Sequence, residues 1–287
     1  MRVTAISGRY ITTYAQWRQA KYTSINGQLR DIARCAVLFS LSITSSPKKG
    51  SGWIRFPFYH HVFDDERKGF ERQLRCLREW GDFVSIDEAC AIIGENRRLR
   101  ERMFCISFDD GFMNCLTNAL PILKALDCPA AFFIQTNLIG IDAGNKFELL
   151  MSFSRHAGYP GPVELLNWES CRELLSVGMT IGSHTASHAI LLELDEASAL
   201  EELKGSKAVI ERKLGIQCRH FACPWGVPGV HFRKNRDPML AAKAGYATFL
   251  TNTRGLNRPG DDLFSIRRDH LMANWPAYQM RYFMRGA

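Results

Sequence analysis

Two adjacent carboxylates, Asp109 and Asp110, close the apolar run Met103-Phe104-Cys105-Ile106-Ser107-Phe108 and precede Gly111. Two like charges side by side repel unless a cation or a proton absorbs one, so the pair points to a metal site with a neighbouring general base. Further ligands for such an ion stand 74 positions beyond Asp110, in Ile181-Gly182-Ser183-His184-Thr185-Ala186-Ser187-His188. Imidazoles four apart meet on one helical turn. One carboxylate with two imidazoles leaves open positions on a divalent ion, as a catalytic site requires. Each fragment alone is weak: Asp-Asp-Gly is commonly a solvated turn, and histidines at this spacing are more often surface residues than ligands. Their order, their strand context and a third segment, Phe221-Ala222-Cys223-Pro224-Trp225-Gly226, together carry the argument.

The elements that must position these residues are legible as alternating patterns. Apolar segments at Phe56 to Val62, Met103 to Phe108, Ala130 to Thr136, Met179 to Ser183, His220 to Cys223, Tyr246 to Thr251 and Phe264 to Arg268 read as strands. Helical patterns at Phe70 to Trp80, Asp87 to Ile93, Cys115 to Leu126, Trp168 to Val177, Glu196 to Leu214 and Pro238 to Ala244 separate them. Such alternation predicts an α/β fold of parallel strands with crossover helices, whose ligands bind beyond the carboxyl ends of the strands. A length of 287 residues with 46% hydrophobic composition suits one large core. The stretch from Gly140 to Pro162 reads as a long connection on the ligand side, either a cap or a plain surface excursion.

With the third segment in place, the chain resembles the polysaccharide deacetylase family, metal-dependent de-N-acetylases that include chitooligosaccharide deacetylases. The likeness runs from about Phe56 to Leu271. It includes Phe58-Tyr59-His60, Ser107-Phe108-Asp109-Asp110-Gly111, Ser183-His184-Thr185-Ala186-Ser187-His188, Ala222-Cys223-Pro224-Trp225-Gly226, Ala244-Gly245-Tyr246 and Ile266-Arg267-Arg268. It implies a distorted, incomplete (β/α) barrel of about seven parallel strands. It further implies that Asp110, His184 and His188 hold a divalent metal, usually zinc, and that Asp109 is the catalytic base. His60, Pro224, Trp225 and Gly226 fall at substrate-binding positions, with the Trp225 backbone N–H facing the oxyanion. Trp225 replaces the family's usual tyrosine, and Ala222 replaces an arginine that braces the base. The family subgroup lacking that arginine carries one near the last strand, where this chain has Arg268. If that strand runs through Phe264 to His270, a period of two puts Arg268 and His270 on one face. Arg268 then braces Asp109 and His270 protonates the leaving amine. The plainer alternative leaves both on a solvated strand end.

The activity so implied is hydrolysis of an N-acyl group, acetyl by resemblance, from an amino sugar or glycan. A deformylase or cyclic-amide hydrolase would use the same ligands. A non-catalytic glycan-binding relative would need no base at Asp109. Residues 1 to 50 hold eight Lys or Arg and one acid, so that +7 of the chain's formal +8 lies in an N-terminal extension and residues 51 to 287 are nearly neutral. That distribution weakens a polyanion-binding reading, and no nucleic-acid motif appears. Within the extension, Leu29, Ile32, Ala33, Ala36 and Val37 form a helical stripe, which would either contact an anionic membrane peripherally or dock on the barrel. The apolar run Ala36 to Leu41 is too short to span a bilayer, and no clear cleavable signal is expected. Nine cysteines at irregular spacing argue against a disulfide framework and for a cytoplasmic setting.

Overall fold

The computed structural model describes residues 10–21, 37, 40–41, 52–95, 98–140 and 146–284, without the side chains of 146 and 147. Ten short strands are described: β1 (Trp53–Arg55), β2 (Pro57–Tyr59), β3 (Asp82–Phe83), β4 (Arg102–Phe104), β5 (Ile106–Phe108), β6 (Ala130–Ile134), β7 (Thr180–Ser183), β8 (His220–Ala222), β9 (Thr248–Leu250) and β10 (Asp269–His270). Seven of them form one parallel sheet in the order β10-β2-β5-β6-β7-β8-β9, and β1-β4-β3 form a small parallel sheet beside it. The large sheet curls into an incomplete (β/α) barrel.

Alternation along the strands sorts the core into two sets. Ile106, Phe108, Phe132 and Ile134 pack with residues of the surrounding helices, including Phe70 and Leu74 of α2 (Arg67–Arg78). Cys105, Ala131, Phe133, Ala222 and Leu250 face the other way, where Ile86, Ala89 and Ile93 of α3 (Ile86–Gly94) join them. Burial on both faces explains why these strands read as continuous apolar runs. Gly182 is needed for the close approach of β7 to β6, because a Cβ there would lie 2.5 Å from the Phe133 ring.

Two expectations need correction, and a third is filled out. The run Met103 to Phe108 is two strands in two sheets, broken at Cys105, and of Phe56 to Val62 only Pro57–Tyr59 is strand, preceded across Phe56 by β1 of the other sheet. Phe264 to Arg268 is not the last strand. Leu263–Ser265 form a tight helical turn held by the Asp262 side chain, Ile266 only bridges to Leu250, and β10 begins at Asp269 beside β2. The Gly140 to Pro162 connection contains a helix of its own, α5 (Lys146–His156); α4 (Leu120–Ala125) precedes it and α6 (Trp168–Ser176) follows.

The helix α7 (Glu196–Leu214) matches its expected span, with Asp195 capping its start and Gly215 in the left-handed region ending it. Beyond it lie α8 (Asp237–Lys243) and α9 (Ala277–Phe283). At the other end of the chain, α1 (Tyr14–Lys21) is tied to the barrel. Asp65 accepts the Tyr14 and Ala15 N–H groups at 2.7 and 3.1 Å, and Ile11 N–H donates to Pro162 O at 2.9 Å. The predicted stripe from Leu29 lies outside the described residues except for Val37, which is exposed. No helix among the described residues is long and apolar enough to cross a membrane.

Candidate active site

Asp109 and Asp110 leave the sheet where the sequence places them. Asp109 N–H donates to Tyr59 O at 2.9 Å, prolonging the β2–β5 pairing through the first carboxylate. Asp109 therefore keeps the alternation of Cys105 and Ser107, while Asp110 adopts φ 70° and turns out of it. Gly111 follows at φ 66°, and its carbonyl accepts Leu166 N–H at 2.8 Å. His184 is fixed likewise at the end of β7, its N–H donating to Ile134 O at 2.9 Å.

His184 and His188 do not share a helical turn as expected. The segment between them is a tight bend with Thr185 at φ 65° and His188 at φ 63°. Glu202 of α7 holds it, accepting the Ala186 and Ser187 N–H groups at 2.9 Å each and the Ser187 hydroxyl at 2.8 Å. Non-glycine residues in the left-handed region are strained by about 1 to 3 kcal/mol each. Besides Asp127, the described ones are Asp110, Thr185, His188 and Trp225, so the strain gathers at one place.

The bend brings Asp110, His184 and His188 together, with their donor atoms all within 4.8 Å of one another and all three residues buried. His184 Nδ1 lies 2.7 Å from Ala222 O, which accepts its proton and leaves Nε2 as a bare lone pair. That Nε2 faces Asp110 Oδ1 at 3.4 Å, and His188 Nε2 faces the same oxygen at 3.1 Å. Asp110 Oδ1 has no hydrogen-bond donor among the described residues. A carboxylate oxygen without a donor and two imidazole nitrogens converging in a buried space fit a divalent ion. The other Asp110 oxygen, Oδ2, accepts the Tyr159 hydroxyl at 2.5 Å. Burial, reinforced by Asp110, raises the Tyr159 phenol well above its ordinary range and keeps it a donor.

Asp109 sits in a different field. Arg268 grips it with both ends of its guanidinium, Nη1 to Oδ1 and Nη2 to Oδ2, each at 2.8 Å. Burial works to raise the Asp109 carboxyl pKa, but Arg268, with lesser help from His184, outweighs it and holds the group below the usual carboxylate value. Arg268 is itself positioned by its Nε, which donates to Thr251 O at 2.9 Å, and by the Phe58 ring 4.1 Å beneath it. It is 1% exposed, so the solvated strand end is excluded for it. Asp269, next in the chain, turns the opposite way and pairs with buried Arg55 at 2.8 Å. The alternation expected for Arg268 and His270 thus holds although the strand starts later.

His270 Nε2 lies 3.0 Å from His60 Nδ1, and burial pushes the His270 pKa well below 6.5, with His60 adding to the effect. Both rings line the same cavity of about 330 Å³ as Asp109, Asp110, His184 and Arg268. Trp225 lines it too, at φ 52°, with its ring 4.3 Å from that of His188. Pro224 and Gly226 do not line the cavity. They shape the turn beneath it, and a Cβ on Gly226 would meet Asn252 N at 2.7 Å.

Sequence reasoning missed Tyr159, Glu202 and the α1 side chains Tyr14, Trp17 and Lys21, which line the cavity from the far side. It assigned no role to His61, His156 or His231. His61 is packed 4.0 Å from the Phe112 ring, and burial lowers its pKa to about 3. His156 and His231 lie 5.1 and 5.8 Å from the Trp225 ring.

A parallel barrel carrying a buried Asp-His-His set beside an arginine-held carboxylate defines the class of a candidate metallohydrolase. The particular family follows from comparison: the chain belongs to the polysaccharide deacetylase family, whose model matches residues 96–248. It is 24% identical over 204 residues to the Bacillus subtilis (strain 168) protein named "Putative polysaccharide deacetylase YxkH", covering 70% of this chain and 63% of that one. The chain therefore spans a little under two thirds of the length of that curated relative. Its fold is similar to the structure of IcaB from Ammonifex degensii, with a TM-score of 0.67, 23% identity, and coverage of 83% of this chain and 99% of that one. It is also similar to the Streptococcus pyogenes deacetylase PplD in complex with acetate, with a TM-score of 0.63, 20% identity, and coverage of 83% and 100%.

Proposed function

We propose that this protein is a metal-dependent carbohydrate deacetylase that releases acetate from an N-acetylated amino sugar within a glycan. The observation that carries the reading is the placement of an ionised, Arg268-held Asp109 in the same cavity as Asp110, His184 and His188. Two imidazoles and a carboxylate suit zinc among divalent ions, and a zinc ion bound there would supply Lewis-acid polarisation of the amide and acidify a water.

The chain's own groups do the rest. Asp109 takes the proton of the attacking water, and Arg268 keeps it anionic and aimed until that moment. The Trp225 backbone N–H donates to the oxyanion as charge develops. His270, neutral in the free protein, relays a proton to the leaving amine, with His60 orienting its ring. The half-buried Trp225 indole offers a flat wall to the sugar where relatives usually carry a tyrosine. A cytoplasmic setting belongs to the same reading and is supported by the irregular cysteine spacing. So does peripheral contact with anionic membrane through residues 1 to 50, supported by their +7 charge.

Acetate release from N-acetylglucosamine oligomers tests the proposal. Chelation should abolish release and added zinc should restore it, while Asp109→Asn should keep the metal and lose turnover. Release that persists after complete metal removal would overturn the reading.

A further inference from the structure

We infer that α1 forms a second sugar-binding subsite of the cleft, in which Trp17 and Tyr14 hold a ring adjoining the one that reacts. The substrate is then a glycan of at least two sugars rather than a free monosaccharide. This rests on the deacetylase reading and extends it. The helix lies outside the residues matched by the family model, so nothing in that match assigns it a role.

Four observations converge. Tyr14, Trp17 and Lys21 line the same cavity as Asp109 and His184, so the arm and the reactive groups face one continuous space. The cavity wall follows the chain from Arg268 and His270 through Leu271 and Met272 to Ala273. That wall continues past the end of β10 at His270, so the cavity extends beyond the reactive groups. Trp17 is 7% exposed, yet its indole N–H has no acceptor among the described residues. A buried tryptophan N–H ordinarily finds one, and a sugar hydroxyl entering the cavity supplies it. Finally, the Trp17 ring packs between Tyr14, stacked on it with centroids 5.7 Å apart and planes 20° from parallel, and the Lys21 ammonium 4.3 Å from its centroid. The half-buried Tyr14 ring is then the face offered to the C–H side of a pyranose, and the Trp17 N–H the donor offered to a hydroxyl at its edge.

The helix is also held rigidly enough to act as a wall. Asp65 receives its first N–H groups, and the hydrogen bond from Ile11 to Pro162 fixes the approach just after Tyr159. A subsite built this way discriminates by ring number without altering the chemistry at Asp109.

The test compares binding of N-acetylglucosamine and of its β-1,4-linked trimer by calorimetry, on zinc-loaded Asp109→Asn protein so that neither ligand is consumed. The trimer should bind at least tenfold more tightly than the monosaccharide. Trp17→Phe, which keeps the apolar packing and removes the N–H, should shrink that advantage about fivefold, the typical worth of one hydrogen bond. Equal affinities, an unchanged ratio in Trp17→Phe, or no binding of the trimer would each overturn the subsite. Should Trp17→Phe lower the unfolding midpoint into the assay range, Tyr14→Ala is read by the same ratio. Acetate release by the unmutated protein separates the two levels. A trimer that binds through Trp17 but releases no acetate defeats the deacetylase reading alone, whereas release with no Trp17 dependence defeats the subsite alone.

Discussion

Asp109 and His184 stand directly at the ends of hydrogen-bonded parallel strands, whereas Trp17 and Tyr159 reach the same cavity from an N-terminal helix and from the connection after α5. The floor is set by neighbours in the sheet: Tyr59 O anchors Asp109, and Ile134 O anchors His184. The wall is set by contacts between distant parts of the chain, such as Asp65 capping Tyr14 from 51 residues away. Rigid strand ends can hold strained, like-charged and acceptor-rich groups in place, and this floor concentrates four left-handed non-glycine residues. Connections carry no such demand and are the part of a barrel free to vary in shape. Under the proposed function, chemistry and ligand choice are then encoded separately: the floor would act on the amide, and the wall would select what the amide is attached to.

The largest expected effect falls on the floor. Replacing Asp109 by Asn removes the proposed base and should lower kcat by about a thousandfold or more, since general bases contribute roughly 10²- to 10⁴-fold. Arg268→Ala should lower kcat by about a hundredfold. It should also destabilise the fold by about 3 to 5 kcal/mol, because Asp109 is then a buried charge without its partner. Restoring only the charge with Arg268→Lys should not recover activity, as the two parallel contacts at 2.8 Å need a planar fork. Steady-state kinetics paired with urea unfolding separates these outcomes, and an Arg268→Ala protein with native kcat would remove Arg268 from the mechanism.

The same division explains what could be read from the sequence. Short apolar runs ending in Asp-Asp-Gly or in Ser-His expose both the strands and the candidate metal-binding set, because both faces of a parallel strand must be apolar and the change to polar residues marks its end. The pairing of Arg268 with Asp109 was also legible through the resemblance, although the strand was placed too early. Phe264 to Ser265 looks like a strand by composition, but Asp262 captures the Phe264 N–H at 2.8 Å and winds a tight turn instead. The bend at His184 to His188 was misread as helical because spacing alone cannot reveal that Glu202, on another helix, supplies acceptors for its N–H groups. Tyr159 and Trp17 were illegible for a related reason. A lone aromatic residue in an arm or a connection carries no periodicity, and only tertiary contact brings it to the cleft.

A smaller effect distinguishes the wall side. Glu66 lines the cavity at 5% exposure, its carboxylate accepting the Phe63 N–H at 3.0 Å. Burial raises its pKa from the ordinary 4.5 to about 7, despite that hydrogen bond. A raised folded-state value means that the stabilising contribution is complete below pH 4.5 and is lost as pH rises through about 7. Stability relative to Glu66→Gln should therefore fall by up to about 3 kcal/mol between pH 4.5 and 8. Urea midpoints of the two proteins at both pH values give the comparison directly. Parallel behaviour would mean that Glu66 is already ionised in the folded state and that the wall is wetter than its burial implies.

The smallest effect sits where floor and wall meet. Tyr159 belongs to the wall by its place in the chain, yet its hydroxyl donates to Asp110 Oδ2 and leaves Oδ1 to face His184 and His188. A hydrogen bond to one carboxylate oxygen fixes the carboxylate plane and selects the oxygen that meets the ion, and loss of such outer partners typically weakens metal binding about 10- to 100-fold. Tyr159→Phe keeps the ring packed 5.3 Å from Phe112 and removes only the donor, so a weakening of zinc binding of about tenfold is expected, with little change in folding stability. Competition against a chromogenic chelator measures this without recourse to turnover. Unchanged affinity would show that the strained backbone at Asp110 orients the carboxylate by itself. The floor would then be independent of the wall, and substitutions in the arm and connections should alter ligand choice without ever reaching the metal.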